Sequence, residues 1–561
     1  MLCKLVAING RYTHSSLALF HVRNELESHC AGVSTEIVQL TIRDPYYEVL
    51  LRLSAGAPEA IFFSAAVWNS ERVEELIGDL HSLLPSCLLV VGGPQAAVVG
   101  DSFDKGVCTV VRGAIEAVGA DFYTDLQAKD LRKYYGASFF HLQDKQERFR
   151  SPYRESDFST HLLNRNIYYE SSRGCPFSCT YCLSSAENGT VHKSLELVEK
   201  EIDQIMVQAP QVLRFVDRTF NDLPDRALAL WKLLLNYEAD TLFHFEIAPD
   251  RISEAMFTFL ATVPPGRFQF EIGIQSTHNP TLAAINRKID PEVAGNTVSR
   301  LAAPNNIHLH SDLILGLPYE TEESYLRSFK DIFAMGSHYI QMGLLKMLPD
   351  TAITVSAEQF EYKYCSKPPY SVLANKWLDG ETLQSLYWFS ECVEKFCNNR
   401  YFPSIWNHLR STGEDVSIFF KQLLHVSLTE RLFQLAPTQQ FLCSILVQVI
   451  TGREDEKLLR ELLMYDWYRC GQKNLPQFLA HDVEDKRMLR DKLYEELPEE
   501  LPGLYSKKDR NRFFKQTIFH SFSEKALQEI CGTGQERRAL AFLLQREKSL
   551  ERLQETVLLP A

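Results

Sequence analysis

Three cysteines stand close together in the stretch Ser171-Ser-Arg-Gly-Cys175-Pro-Phe-Ser-Cys179-Thr-Tyr-Cys182. Thiolates are the usual protein ligands of iron–sulfur clusters, and three of them leave one iron of a cubane without a protein ligand. An open coordination position is what catalysis requires, whereas structural metal sites are generally closed. Gly174 lets the chain turn sharply ahead of Cys175, and intervals of three and two residues can wrap three thiolates around one cluster. The competing chemistry is zinc. Zinc prefers four ligands, commonly in two pairs, yet no second cysteine pair follows and His192 is the nearest candidate for a fourth ligand.

The cysteines follow a short apolar run at 167–171, which predicts a strand with the thiols on the strand-to-helix loop after it. Five further strands are expected at 212–217, 242–248, 268–274, 307–314 and 339–345, separated by amphipathic stretches with helix periodicity. Six consecutive β/α units predict a partial (β/α)6 barrel over 161–355, with active-site residues on loops at the carboxyl ends of its strands. Those ends carry Asp217 and Thr219, Glu246, Glu271 with Gly273 and Gln275, and Asp312-Leu-Ile314-Leu-Gly316-Leu-Pro318-Tyr-Glu320. Ordinary barrel packing also uses such residues, glycines for close approach and carboxylates as helix caps.

Upstream, residues 1–130 alternate short apolar runs (2–8, 35–40, 60–64, 87–91, 108–111) with helical patterns. The expected fold is α/β, a doubly wound, Rossmann-like parallel sheet whose ligand would sit at the strands' carboxyl ends. Asn9-Gly10, Gly92-Gly93-Pro94 and Arg112-Gly113 supply turns at those ends. No Gly-x-Gly-x-x-Gly follows the first run, so a dinucleotide reading lacks its phosphate loop. Residues 131–160 are polar and weakly patterned and read as a linker, and 356–561 as an all-helical C-terminal domain.

With 72 acidic against 59 basic residues the chain carries a net charge of −13, which argues against general electrostatic binding of nucleic acid. No apolar run approaches the roughly 20 residues of a membrane-spanning helix. The 13 cysteines are odd in number and scattered, as expected of reduced thiols in a cytoplasmic protein.

The Cys-x3-Cys-x-aromatic-Cys pattern, with Tyr181 as the aromatic, resembles that of the radical S-adenosylmethionine (SAM) superfamily. The resemblance implies a [4Fe–4S] cluster on Cys175, Cys179 and Cys182, with SAM chelating the fourth iron. Electron transfer to SAM would then yield methionine and a 5′-deoxyadenosyl radical, while the protein positions the reactants. It further implies SAM contacts at Tyr181, Asp217, Thr219, Glu246, Gly273, Gln275, Ile314 and Gly316, although the family's common Gly-Gly-Glu after the second strand is absent. The N-terminal turns resemble the cobalamin-binding domain that precedes many members. They imply cobalamin contacts at Asn9, Tyr12, His14, Gly92, Gly93, Pro94, Gly113 and Glu116. The usual Asp-x-His-x-x-Gly is missing, and His14 is a substitute at a different spacing.

Lys367-Pro368-Pro369-Tyr370, Leu462-Leu-Met-Tyr465-Asp466-Trp467 and Leu475-Pro476 resemble an uncharacterised C-terminal domain found on a subset of these enzymes. The whole arrangement implies a cobalamin-dependent methyltransferase acting on an unactivated carbon of a small-molecule or unknown substrate. A reductant such as flavodoxin or ferredoxin would supply electrons. Two alternatives are a radical rearrangement, oxidation or cyclisation without methyl transfer, and a methylthiotransferase of tRNA or protein. The last would need further cluster cysteines converging in the first domain, where Cys3, Cys87 and Cys108 fall within strands. Cys365, Cys392 and Cys397 hint at a second cluster, though buried, unligated thiols account for them better. Pro368-Pro369-Tyr370 reads as a turn with packed aromatics.

Overall fold

In the computed structural model residues 1–143, 145–186, 189–480, 486–532, 538–546 and 553–560 are described. Strands β1 (Leu2–Asn9), β2 (Ser34–Thr41), β3 (Ala60–Ser64), β4 (Leu88–Gly92), β5 (Thr109–Gly113) and β6 (Tyr134–Ala137) form a sheet in the order β2-β1-β3-β4-β5-β6. Every pairing in it is parallel. Residues alternate faces along β1: Leu5 and Ala7 pack into one core, Val6 and Ile8 into another. A sheet covered on both sides needs this continuous apolar pattern, and its order reverses at β1/β3.

The sixth strand corrects the linker reading of 131–160. Tyr134-Tyr-Gly-Ala137 is too short to signal a strand, and Gly136 packs so close to β5 that a Cβ there would lie 2.8 Å from the Arg112 carbonyl oxygen. Phe139 and Phe149, farther along the same segment, are buried.

β7 (Ile167–Tyr169) opens the second unit, and an inserted hairpin, β8 (Ser172–Cys175) with β9 (Gly189–His192), follows directly. Then come β10 (Val212–Phe215), β11 (Leu242–Ile247), β12 (Phe268–Gln275), β13 (His308–Leu315) and β14 (Tyr339–Leu344). β7 and β10–β14 pair in chain order, all parallel, as the six-unit reading expects. Leu213, Phe215, Phe243, Phe245, Phe268 and Phe270 point outward into the core, where Trp231 stacks on Phe220 and Phe270. The opposite, inner face is polar. One cross-strand row reads Tyr168, Arg214, His244, Gln269, His308; the next reads Glu246, Glu271, His310, Tyr339; above it lie Gly273, Asp312 and Gln341.

The last third is helical over Gly380–Phe396, Pro403–Thr412, Val416–Thr429, Gln439–Ile450 and Glu456–Arg469. It is not all helical. A short hairpin, β15 (Lys363–Tyr364) with β16 (Val372–Ala374), precedes the helices, and β17 (Ile518–Phe522), β18 (Arg538–Arg546) and β19 (Gln554–Pro560) form an antiparallel sheet after them. These strands lie among charged segments whose helix signal hid them. One apolar core runs from a face of the first sheet through the barrel's outer face into the C-terminal helices. Among the described residues no helix is long and apolar enough to cross a membrane.

Candidate active site

Cys175 closes β8 opposite Gly189 of β9, so the cysteine segment forms the tip of a hairpin and not a strand-to-helix loop. Gly174 has φ +96°, and a Cβ there would fall 2.1 Å from the Gly189 carbonyl oxygen, so no other residue fits. The root of the hairpin is held by Asp217. Its buried carboxylate accepts hydrogen bonds from the Ser171 amide (2.9 Å) and from the Ser171 and Ser172 hydroxyls (2.6 Å each). Burial pushes the Asp217 pKa up, and those hydrogen bonds oppose the rise. The tip is tied on the other side. The Thr180 amide donates to the Ile285 carbonyl (3.0 Å), the Ile353 amide to the Thr180 carbonyl (2.9 Å), and the Asn286 side chain to the Ser178 carbonyl (3.1 Å).

Cys175, Cys179 and Cys182 line one cavity of about 200 Å³ together with Phe177, Tyr181, Arg218, Thr219, Glu246, Glu271, Gly273, Gln275, Arg287 and Asp312. The Thr219 hydroxyl lies 3.6 Å from the Cys175 sulfur and the Arg287 guanidinium 3.8 Å from that of Cys179. Arg287 also donates to the Gly273 carbonyl, at a bulge where Gln275 takes φ +74°. The Phe177 ring lies between the Arg251 and Arg287 guanidiniums, at 4.9 and 5.4 Å. Burial raises the Cys175 thiol. It also raises Glu246 to about 7, which Arg218 opposes. Burial, with Glu271 and Glu246 nearby, raises Asp312 well above the ordinary carboxyl range. Glu271 is instead held low by His244, 3.3 Å away.

These residues fit a cluster with an organic ligand. The three thiols share one cavity, and one Asp312 oxygen is buried there with no hydrogen-bond partner among the described residues. Among those residues no three His, Cys, Asp or Glu side chains gather around a single ion. A cubane spreads its thiolates over separate irons, so they need not meet at one point. His192, the zinc alternative, faces Asp222 at 3.4 Å.

Of the SAM-contact residues expected from the sequence, Tyr181, Thr219, Glu246, Gly273 and Gln275 line the cavity. Asp217, Ile314 and Gly316 do not. Asp217 positions the hairpin root, Ile314 packs against the core, and the Gly316 carbonyl accepts from Tyr362 (2.9 Å) and Asn375 (3.0 Å) of the C-terminal region. The cavity also takes Arg218, Glu271, Arg287 and Asp312. Glu246, Glu271 and Asp312 share the inner parity of their strands, a signal present in the sequence. Arg287 gave none, because it arrives from the turn after the helix Asn279–Ala284.

The residues expected at the first sheet's carboxyl edge meet the second unit. Asn9 donates to the His14 carbonyl (3.3 Å), and the His14 ring lies 3.2 Å from the Tyr168 hydroxyl. Glu116 is buried between His21 (3.0 Å) and Arg173 (3.1 Å), two residues before Cys175. His21 and Arg173 hold its carboxyl well below the usual range against its burial. A Cβ on Gly93 would lie 2.6 Å from the Ala65 carbonyl oxygen, so Gly92-Gly93-Pro94 packs tightly on the loop after β3. Next to it Gln95 accepts from the buried Tyr370 hydroxyl (2.9 Å). Gly93, Pro94, Arg112 and Gly113 remain exposed, as does Tyr12, whose ring stacks with Arg165 at 4.3 Å.

The other thiols stand apart. Burial pushes Cys392 and Cys397 up to about 12, the first beside Ser427 and the second beside Arg410. Cys3 lies at the start of β1, while Cys87 and Cys108 immediately precede β4 and β5, at the end of the sheet away from its loops toward the barrel.

Residues 169–332 match the model of the Radical SAM superfamily, and residues 358–541 that of a protein of unknown function (DUF4080). The chain is 27% identical over 317 residues to the 2-(S-pantetheinyl)-carbapenam-3-carboxylate methyltransferase of Streptantibioticus cattleyicolor, covering 50% of this chain and 46% of that protein. It is 24% identical over 333 residues to the cobalamin-dependent radical SAM methyltransferase TokK of Streptomyces tokunonensis, covering 52% and 48%. The chain thus spans about half the length of these curated relatives. Its fold matches the structure of the cobalamin-dependent SAM radical enzyme OxsB with aqua-cobalamin and SAM bound, at a TM-score of 0.58 and 13% identity over 84% of each chain.

Proposed function

From the match of residues 169–332 to the Radical SAM superfamily, we propose that this chain is a cobalamin-dependent radical S-adenosylmethionine methyltransferase acting on an unactivated carbon of a small molecule. The carrying observation is the single cavity shared by Cys175, Cys179, Cys182 and the inward carboxylates of the barrel, with the first sheet's loops docked beside it. The two methyltransferase relatives support the choice of reaction.

When bound, the cluster and SAM supply a carbon radical by reductive cleavage, and cobalamin supplies a methyl carrier. The residues do the rest. Cys175, Cys179 and Cys182 would hold three irons, and Thr219 and Arg287 contact two of the sulfurs, where a donor and a positive charge favour thiolate. Glu246, Glu271, Gln275 and Asp312 would offer acceptors to SAM, and Tyr181 would line its site. Phe177 and Tyr181 supply aromatic wall to the same cavity and limit its exposure to water. At the first sheet's edge Asn9, His14 and Glu116 are taken up by protein contacts. The exposed Tyr12, Gly93, Pro94 and Gly113, with backbone groups of the same turns, would then hold cobalamin. Flavodoxin or ferredoxin would supply the electrons.

The test is anaerobic. Protein with a reconstituted cluster receives cobalamin, reductant and SAM, and nucleoside products are quantified by mass spectrometry. Accumulation of both 5′-deoxyadenosine and S-adenosylhomocysteine is expected, since the second reports methyl loss from SAM. 5′-Deoxyadenosine alone, with cobalamin bound, would overturn methyl transfer in favour of a radical rearrangement or oxidation.

A further inference from the structure

The inner wall of the barrel holds a cation that the cluster chemistry does not use. Arg214 sits on β10 between Leu213 and Phe215, which face the apolar core, so its side chain faces the barrel interior. It lies in register with Tyr168 of β7 and His244 of β11. Its neighbours are spoken for. The Tyr168 hydroxyl meets His14, His244 meets Glu271, and Gln269, next in the row, meets His310 at 2.9 Å. Arg214 itself makes no ion pair, and its Nε is buried with no hydrogen-bond partner among the described residues.

Arg214 is half-buried, and its buried Nε is costly unless an anion or another acceptor completes its hydrogen bond. The nearest carboxylates fill that role poorly. Glu271 is engaged by His244, and Glu246 stands one row above, two strand residues or ~6.6 Å along the barrel axis. The wall thus carries acids near the cysteines and, one row deeper, a cation whose charge reaches Glu246 and Glu271 without a salt bridge to either among the described residues. The planar fork of an arginine matches carboxylate and phosphate oxygens two at a time.

Resting on the methyltransferase reading for the site itself, we infer that the substrate carries a carboxylate or phosphate group, held by Arg214 inside the barrel while its reacting carbon lies above in the cysteine-lined cavity. Tyr168, beside Arg214 in the same row, is hydrogen-bonded to His14, which links the first domain to the anion's surroundings. Arg214 is a specificity-determining residue in this arrangement, and the distance from the anionic group to the reacting carbon is set by the strand.

The test needs no knowledge of the substrate. Holoenzyme with its cluster reconstituted is titrated with inorganic phosphate and, separately, with propionate, and protection against thermal unfolding is followed with and without SAM. Saturable protection by at least one of the two anions is expected, telling phosphate from carboxylate, and it persists when SAM is present. In Arg214→Gln the half-saturating concentration rises at least tenfold, and Arg214→Lys retains part of the affinity; cluster absorbance confirms that both variants hold iron. Absence of protection by both anions, equal protection in Arg214→Gln, or protection abolished by SAM would overturn the inference, the last because Arg214 would then serve the cofactor. A failure to form S-adenosylhomocysteine in the experiment above would instead count against methyl transfer alone.

Discussion

At Gly174 the hairpin leaves no room for even one methyl group, since the Gly189 carbonyl oxygen occupies that space. Gly174→Ala is expected to cost iron: after identical reconstitution the variant should hold less than half the iron of the parent, with the circular dichroism of the barrel retained. Equal iron content would show that the turn adapts. Cys179→Ala should abolish 5′-deoxyadenosine formation while both parallel sheets stay folded; unchanged SAM cleavage would sink the cluster assignment. At this scale the sequence was most legible where chemistry is local. Three thiols within eight residues announce themselves, and so does the glycine before them. The place of Asp217 beside a strand end says nothing of where its side chain points. Only the folded chain shows it turned toward Ser171 and Ser172. Arg287 was invisible for the same reason, since nothing in its neighbourhood ties it to a sulfur more than a hundred residues earlier.

Among the elements, the loop after β13 carries a carboxyl in an unusual setting. Glu320 is fully buried and accepts a hydrogen bond from the Ser276 hydroxyl (2.6 Å), while its other oxygen has no partner among the described residues. Burial pushes its pKa up to about 8 from an ordinary 4.5. The folded state thus keeps a proton that the unfolded chain releases at lower pH. This contribution to stability is fully present below about pH 4.5 and is lost as pH rises toward about 8. Glu320→Gln should accordingly flatten the fall in urea midpoint across that window; an unchanged slope in the variant would refute the assignment. The strands themselves were legible from alternation and apolar runs, and all six of the barrel fall where the pattern put them. β6 and β17–β19 escaped because a four-residue edge strand, or strands embedded in charged sequence, carry too little pattern to outweigh their surroundings. The hairpin β8/β9 escaped because Ser172-Arg-Gly-Cys175 has no strand character of its own and pairs only because the cysteine tip is held at both ends.

Across the whole molecule, the joint between the first sheet and the cysteine hairpin rests on few residues. Glu116 reaches from the loop after β5 to Arg173, whose guanidinium also stacks on Phe139 and pairs with Glu170. Glu116→Gln leaves Arg173 with less compensation in a buried place, which by analogy with broken buried pairs costs about 3 kcal/mol. The variant should unfold at lower urea and lose cluster iron faster under chelator than the parent. Unaltered iron release would mean that the hairpin does not depend on this joint. The three-part division was legible as changes in sequence character, but the contacts between parts were not, since Tyr370 reaching Gln95 or His14 reaching Tyr168 spans more than 150 residues.

The apolar core that passes from the first sheet through the barrel into the C-terminal helices also sets what this chain can do as a machine. Parts that share an interior cannot swing on a hinge without opening it to water, so the three regions behave as a single casting. A cut at residue 160 would not release two working modules; each fragment would carry a raw, greasy face and clump. Whatever separation exists between the edge of the first sheet and the cysteine tip is therefore a fixed gauge. If two reaction events take place at those two stations, it is the reactant, and not the protein, that must travel between them.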